Sequence, residues 1–385
     1  MLERLAIVGV RLTTLCRDAA ERAGVLTHLG HLRRLPVERR RVAGAHAVVP
    51  AILTALAQSG GAPEAGAWRT GAFLRMASDV TIVTIGPRGE PARALIKLAE
   101  TPEAAERLQR HARVLDDLQH NDRLGDWRRL LPRLLDAGEI GHTPYLVEEK
   151  VSGESLSHTL NRPGSEVGAI RQATGAIAPL HCATTREVPI GEDLLERWLH
   201  GPVRELDAAV ALSRGRQSAL GTLASLSSDL RSRLEGRGIA VSWVHGDFHP
   251  GNIVSGADQQ ITGIIDWESA HPEDFPSLDV VTLLITVRMG VRRQEFGPVV
   301  CDLLGAHPFT ESEERVVSAA PDSATWAAVG NDHLILMCWL RHVAEQAAKR
   351  RSIAMFNRRY TLASLWVHTN VHSVLDTLAR AAVRS

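Results

Sequence analysis

Apolar residues at helical spacing mark the first seventy residues: Val25, Leu29 and Leu32 fall on one face, and the stretch predicts helix. An arginine-rich patch from Arg33 to Arg41, around Pro36, reads as a solvated helix face. Ser59-Gly60-Gly61-Ala62-Pro63 then breaks the helical pattern as a linker or long turn. Past Trp68 the texture changes. Val80-Thr81-Ile82-Val83-Thr84-Ile85 is a β-branched run, Gly86-Pro87-Arg88-Gly89 a turn, and Ala94-Leu95-Ile96-Lys97-Leu98 a second run, which together predict an antiparallel hairpin. Thr101-Pro102-Glu103 supplies a cap, a first-turn proline and an acid for the positive end of the dipole, so a helix is expected from there to about Gln119. A further strand is expected over Pro144–Lys150. The rest of the chain reads as mostly helical, with short strands near Trp243 and Ile264 and no internal repeat.

At 385 residues the chain exceeds what one core usually holds, and 44% hydrophobic with 23% charged residues is ordinary for a folded protein. Two packed units are expected. Lys+Arg and Asp+Glu both number 44, so no global field draws nucleic acid or an anionic membrane surface, and neither is expected as a partner. The four cysteines, Cys16, Cys182, Cys301 and Cys338, form no C-x-x-C pair, which disfavours a zinc ribbon or disulfide framework and suits a reducing cytoplasm. The apolar stretch Leu5–Val10 is cut short by Arg11, and no run approaches the roughly 20 apolar residues of a membrane helix.

The chemistry concentrates in one region. Val241–Val244 is a strand that feeds His245-Gly246-Asp247-Phe248-His249-Pro250-Gly251-Asn252, and a second apolar run, Ile261–Ile265, ends in Asp266-Trp267-Glu268. An aspartate, an amide five positions on and a second aspartate after the next strand suit phosphoryl transfer from a metal-bound nucleotide. One carboxylate orients the attacking hydroxyl, while an amide oxygen and the other carboxylate hold magnesium, a hard ion that prefers oxygen. A rival reading gathers His245, Asp247, His249, Asp266 and His271 into a transition-metal hydrolase centre, but H-x-D-x-H spacing is a weak signal.

At these residues the chain resembles the aminoglycoside phosphotransferase and choline kinase-like family, whose catalytic loop reads H-G-D-x-x-x-x-N and whose metal aspartate stands in an I-D-W/F/Y context; both motifs are intact. The resemblance spans roughly residues 71–375 and implies an α+β, bilobal, protein-kinase-like fold. A helical N-terminal extension (1–70) would precede a nucleotide-binding small lobe with an antiparallel sheet plus helix (71–150) and a large, mostly helical lobe with the catalytic loop and acceptor site (151–385). It implies Asp247 as catalytic base, Asn252 and Asp266 as magnesium ligands, and His245 as a brace of the loop. Asp279 matches an aspartate that supports that loop, although a helix cap would pack in much the same way. His181 matches a packed structural histidine.

In this family a lysine on the third small-lobe strand contacts the α- and β-phosphates, and Lys97 matches it. Its usual glutamate partner in the next helix is missing: the aligned position is His111, and Glu106 is the substitute a shifted helix would offer. Arg75-Met76-Ala77-Ser78-Asp79 has no glycine, so backbone amides or Ser78 would have to reach a phosphate. Glu149, Lys150 and Val151 match the segment that reads adenine through main-chain groups, with ATP favoured over GTP. The expected reaction is Mg-ATP-dependent phosphorylation of a hydroxyl on a small molecule such as an antibiotic, nucleoside or sugar. A Ser/Thr kinase of a peptide and a nucleotide-binding pseudokinase are the alternatives. Glu268, Glu273 and Asp274, or Arg288, Arg292 and Arg293, are candidate linings for the acceptor; its charge and the oligomeric state are not legible in the sequence.

Overall fold

The β-branched run becomes strand β2 (Val80–Gly86), paired antiparallel with β1 (Arg69–Arg75) and β3 (Ala94–Ala99). Beyond β3 lie β5 (Thr143–Glu149) and, at the edge, β4 (Leu134–Ile140), giving the order β1-β2-β3-β5-β4. The computed structural model describes residues 36–60, 62–75, 79–160, 164–211, 216–353 and 366–382. The hydrophobic pattern does not announce β4, because Asp136, Ala137, Gly138 and Glu139 are poor strand formers. Pairing with β5 decides it: Gly138 lies opposite Tyr145, whose hydroxyl donates to Asp136 Oδ2 at 3.0 Å.

Both faces of this sheet are covered. Helix α1 (Pro36–Ser59) sends Val49, Ile52 and Leu56 into one cluster with Trp68, Val83, Ile85, Ile96, Tyr145 and Val147. The described part of the N-terminal extension is therefore a component of this core, and residues 1–35 lie outside the described residues. On the other face, helix α2 (Pro102–Gln119) packs Ala104 and Leu108 against Val80 and Ala99. Its start is the one expected: the Thr101 side chain accepts the Ala104 N–H at 3.2 Å, and Pro102 occupies the first turn, where no N–H is needed.

The described chain divides into two compact units, one with residues up to His158 plus Gly251–Ala270, the other with Thr159–Pro250 and the residues from His271 onward. In the first, the returning segment forms β9 (Ile253–Ser255) and β10 (Ile261–Ile264), which join β6 (Glu154–Ser155) in the order β10-β9-β6. The second is mostly helix. Its main helices are α3 (Glu166–Thr184), α4 (Gly201–Val210), α5 (Arg216–Leu234), α6 (Ser277–Arg292), α7 (Phe296–Leu303), α8 (Glu311–Ser318), α9 (Ser323–Val329), α10 (Asn331–Ile353) and α11 (Ser373–Ala382). They enclose a small sheet, β11 (His271–Asp274), β8 (Gly238–Val244) and β7 (Arg186–Pro189), with β8 in the middle. Trp198, Phe275 and Trp326 pack edge-on or tilted at 5.2 and 5.3 Å in its core. The architecture is α+β, as the sequence predicts. No helix among the described residues is long and apolar enough to cross a membrane.

Candidate active site

In the second unit β8 ends at Val244 and delivers His245-Gly246-Asp247 into a turn that only glycine enters without strain, since Gly246 has φ +79. Asp279, wholly buried in the first turn of α6, holds that turn. Its carboxylate accepts the backbone N–H of His245 and of Gly246, each at 2.8 Å, and faces His181 Nε2 from α3 at 3.0 Å. His245 is wholly buried, and its Nδ1 accepts the Asp247 N–H at 3.3 Å, so this histidine braces the loop from within. The Asp247 side chain keeps 23% of its surface open, with His249 Nε2 3.7 Å from its Oδ2. A part-exposed carboxylate on a loop braced in this way is the kind of group that can meet an acceptor hydroxyl.

The first unit holds a second group of polar residues. Asn252 and Asp266 flank the β9–β10 hairpin, and the Asn252 carbonyl accepts the Ile265 N–H at 2.9 Å, which ties the two positions together. Asp266 adopts the left-handed conformation (φ 68, ψ 61), unusual for a residue with a side chain and a mark of local strain. Its carboxylate is 44% exposed and lies 3.4 Å from Lys97 Nζ. Lys97, on β3, is buried and also meets Glu148 Oε1 at 3.0 Å and His111 Nδ1 at 3.4 Å. His111 Nε2 in turn stands 3.3 Å from Glu148 Oε2. Burial alone would lower the Lys97 ammonium, but the Glu148 and Asp266 carboxylates outweigh it and hold the ammonium above the ordinary lysine value. Burial pushes the Glu148 carboxyl up, against the opposing pull of Lys97.

The structure departs from the sequence reading at the partner of Lys97. Glu106 is not beside Lys97: it is exposed on α2, off the stripe of Ala104, Leu108, His111, Leu115 and Leu118 that faces inward. The buried carboxylate that pairs with the lysine is Glu148, which the family motif does not mark because it belongs to a strand and not to the helix. Strand alternation was the available signal. Tyr145 and Val147 face the α1 core, so Glu148 faces the α2 side, where Lys97 lies opposite Leu146.

Of the segment expected to read adenine, the N–H groups of Glu149 and Lys150 already donate within the chain, to Arg133 and Arg93 carbonyls at 2.8 Å each. Val151 is the main-chain donor left open among the described residues, since no partner for its N–H is found there. Ser78 lies outside the described residues. Asn252 and Asp266 offer hard oxygen donors, and the partly exposed Asp266 carboxylate leaves room for a cation that keeps several waters, so the pair fits magnesium. No group of three or more His, Cys, Asp or Glu among the described residues is arranged to hold a metal, and His271 is instead engaged with Arg197, 2.7 Å from its Nδ1.

The charged candidates for the acceptor are largely committed. Asp274 is wholly buried against Arg341 at 2.7 Å, Glu273 pairs with Arg186, and Glu268 meets Arg107 at 3.7 Å. Arg288 is buried against Glu313, its Nε 2.9 Å from Oε1, Arg292 pairs with Asp302 at 2.9 Å, and Arg293 caps α6 in a left-handed conformation.

The model of the phosphotransferase enzyme family, APH, matches residues 77–313, a span that contains Lys97, Glu148, the Asp247 loop, Asn252, Asp266 and Asp279. The chain belongs to this family. It is therefore an enzyme of phosphoryl transfer. No curated protein matches it. Among solved structures it is similar to the aminoglycoside phosphotransferase APH(3'')-Id from Streptomyces rimosus in complex with ADP and streptomycin, at 16% identity over 76% of this chain and 98% of that one, with a TM-score of 0.42. A glucosamine kinase in complex with glucosamine, ADP and inorganic phosphate shares 19% identity over 83% of each chain (TM-score 0.38). The PknI kinase domain of Mycobacterium tuberculosis shares 14% over 73% of this chain and 96% of that one (TM-score 0.32).

Proposed function

We propose that this phosphotransferase moves the γ-phosphoryl group of ATP, with magnesium, onto a hydroxyl of a small molecule. The observation that carries the reading is the buried Lys97 ammonium with two carboxylates around it, one of them Asp266, whose neighbour Ile265 donates its N–H to the Asn252 carbonyl. A fixed cation next to a hard-oxygen pair suits a triphosphate, which presents negative oxygens to both.

In this mechanism Lys97 orients the phosphates, and the open N–H of Val151 is the main-chain group for the base. Asn252 and Asp266 would hold magnesium, which neutralises charge on the phosphate oxygens when bound. Asp247 takes the proton of the acceptor hydroxyl as that oxygen bonds to the γ-phosphorus. The bond from the γ-phosphorus to the bridging oxygen breaks, ADP leaves with that electron pair, and Asp247 returns the proton to solvent. His245 and Asp279 act at one remove, by holding the turn on which Asp247 sits. On this reading the acceptor would bind between the Asp247 loop and the helical region after Asp279, and the commitment of Asp274 and Arg288 to buried ion pairs leaves the hydroxyl pattern of the ligand to decide recognition more than its charge.

The test is incubation with Mg-ATP and panels of aminoglycosides, nucleosides, sugars and hydroxyl-bearing peptides, with mass detection of a transferred phosphate. Asp247→Asn should bind ATP as the natural chain does and transfer nothing, because an amide cannot accept the hydroxyl proton. A folded Asp247→Asn variant with full transfer would remove the catalytic assignment. Phosphate found only on peptides would replace the small-molecule reading.

A further inference from the structure

Resting on the nucleotide reading above, we propose that Glu148 is the positioning residue for Lys97, supplying from strand β5 the carboxylate that helix α2 lacks, with His111 bridging the pair to α2. In the protein-kinase arrangement the strand lysine is held by a helix glutamate, so the pair exists only when the helix is in place. Here the ion pair lies within one sheet. Lys97 is opposite Leu146 and Leu95 opposite Glu148, which sets lysine and glutamate diagonally on neighbouring strands with both side chains on the α2 face. Backbone hydrogen bonds between β3 and β5 therefore fix their spacing, whatever α2 does.

His111 explains why the helix still packs there. An ammonium only donates, so Nδ1 of His111, 3.4 Å from Lys97 Nζ, is the acceptor in that contact. Nε2 of the same ring lies 3.3 Å from Glu148 Oε2, an ion-pair distance without hydrogen-bond alignment. Lysine, glutamate and histidine thus stand in a triangle of close contacts, with side chains 8%, 3% and 1% exposed. Asp266 stands outside that triangle at 3.4 Å from the same ammonium and is 44% exposed. The division assigns different work to the two acids. Glu148 holds Lys97 in place permanently, so Asp266 can turn to a cation without leaving a buried ammonium alone, a state that is strongly unfavourable. The ammonium is thereby aimed at phosphate before any nucleotide arrives.

A buried ion pair that only stabilises the sheet would look the same in a single structure, so the test separates phosphate binding from folding. Binding of Mg-ATP and of adenosine, which has no phosphate, is measured by calorimetry on the full chain, with thermal melts of each variant. Glu148→Gln is expected to weaken Mg-ATP about tenfold and adenosine less than about twofold. The double variant Glu148→Gln/His111→Glu, which returns a carboxylate to the helix, is expected to recover most of the Mg-ATP affinity. Where Glu148→Gln alone does not fold, Glu148→Asp keeps the charge but draws it back by a methylene and should show the same selective loss. Equal Mg-ATP affinity in a folded Glu148→Gln chain, a parallel loss of both ligands, or no recovery in a folded double variant overturns the proposal. No Mg-ATP binding by the natural chain overturns the nucleotide reading itself.

Discussion

Asp279 carries its three contacts in a place closed to water, so each N–H left without it would be stranded. Asp279→Asn keeps the shape but turns an amide donor toward a donor. It should lower stability by roughly 2–4 kcal/mol in urea denaturation and disorder the Asp247 loop enough to cut turnover. Gly246→Ala forces a side chain into φ +79 and should cost roughly 1–2 kcal/mol. The two effects are separable, because the alanine leaves every Asp279 bond in place. At this scale the Asp247, Asn252 and Asp266 spacing was open to reading, since motif residues are close in the chain. Glu148 was not, because its partner lies at Lys97, on another strand.

Between elements, the segment after β5 passes beneath the β9–β10 hairpin at two glycines. A Cβ on Gly263 would come 2.6 Å from Val151 Cγ1, and one on Gly153 (φ +133) would run into the Ser255 carbonyl. Gly263→Ala should therefore displace Val151 and weaken ATP several-fold in a binding titration with little change in the fold, as the valine side chain can shift. Gly153→Ala meets backbone on one side and a forbidden conformation on the other, so it should lower stability by about 1–3 kcal/mol, read from the denaturation midpoint. Helix α2 was legible to the residue, because cap, first-turn proline and apolar stripe agree locally. The same stripe contains His111 and omits Glu106, so helical spacing alone could have rejected the substitute glutamate.

For the molecule as a whole, stability should carry the signature of one buried acid. Asp322 precedes α9, and its carboxylate accepts the Ser277 N–H and hydroxyl and the Trp326 indole N–H. Burial pushes its carboxyl up to about 6, against those bonds, which pull it down. Between the ordinary aspartate value and about 6 the folded chain binds the extra proton, so this contribution to stability is present at low pH and lost as pH rises through about 6. Its size is about 3 kcal/mol. Asp322→Asn cannot titrate, so its deficit against the natural chain should be largest near pH 4 and shrink toward pH 7. Denaturation midpoints of both chains across that range check it, and a deficit that grows with pH would contradict the assignment.

Local pattern determined the β2–β3 hairpin, the limits of α2, the spacing of the Asp247 loop and the place of Lys97 on a strand, because each depends on residues near one another in the chain. Tertiary structure alone decided the rest. It made a strand of β4 by pairing it with Tyr145 and its neighbours, and it drew α1 into the core of the first unit. It also placed Glu148 and His111 beside Lys97. These outcomes depend on register between strands and on which helix face meets a sheet, and such relations between distant segments have no signature in any one stretch of sequence.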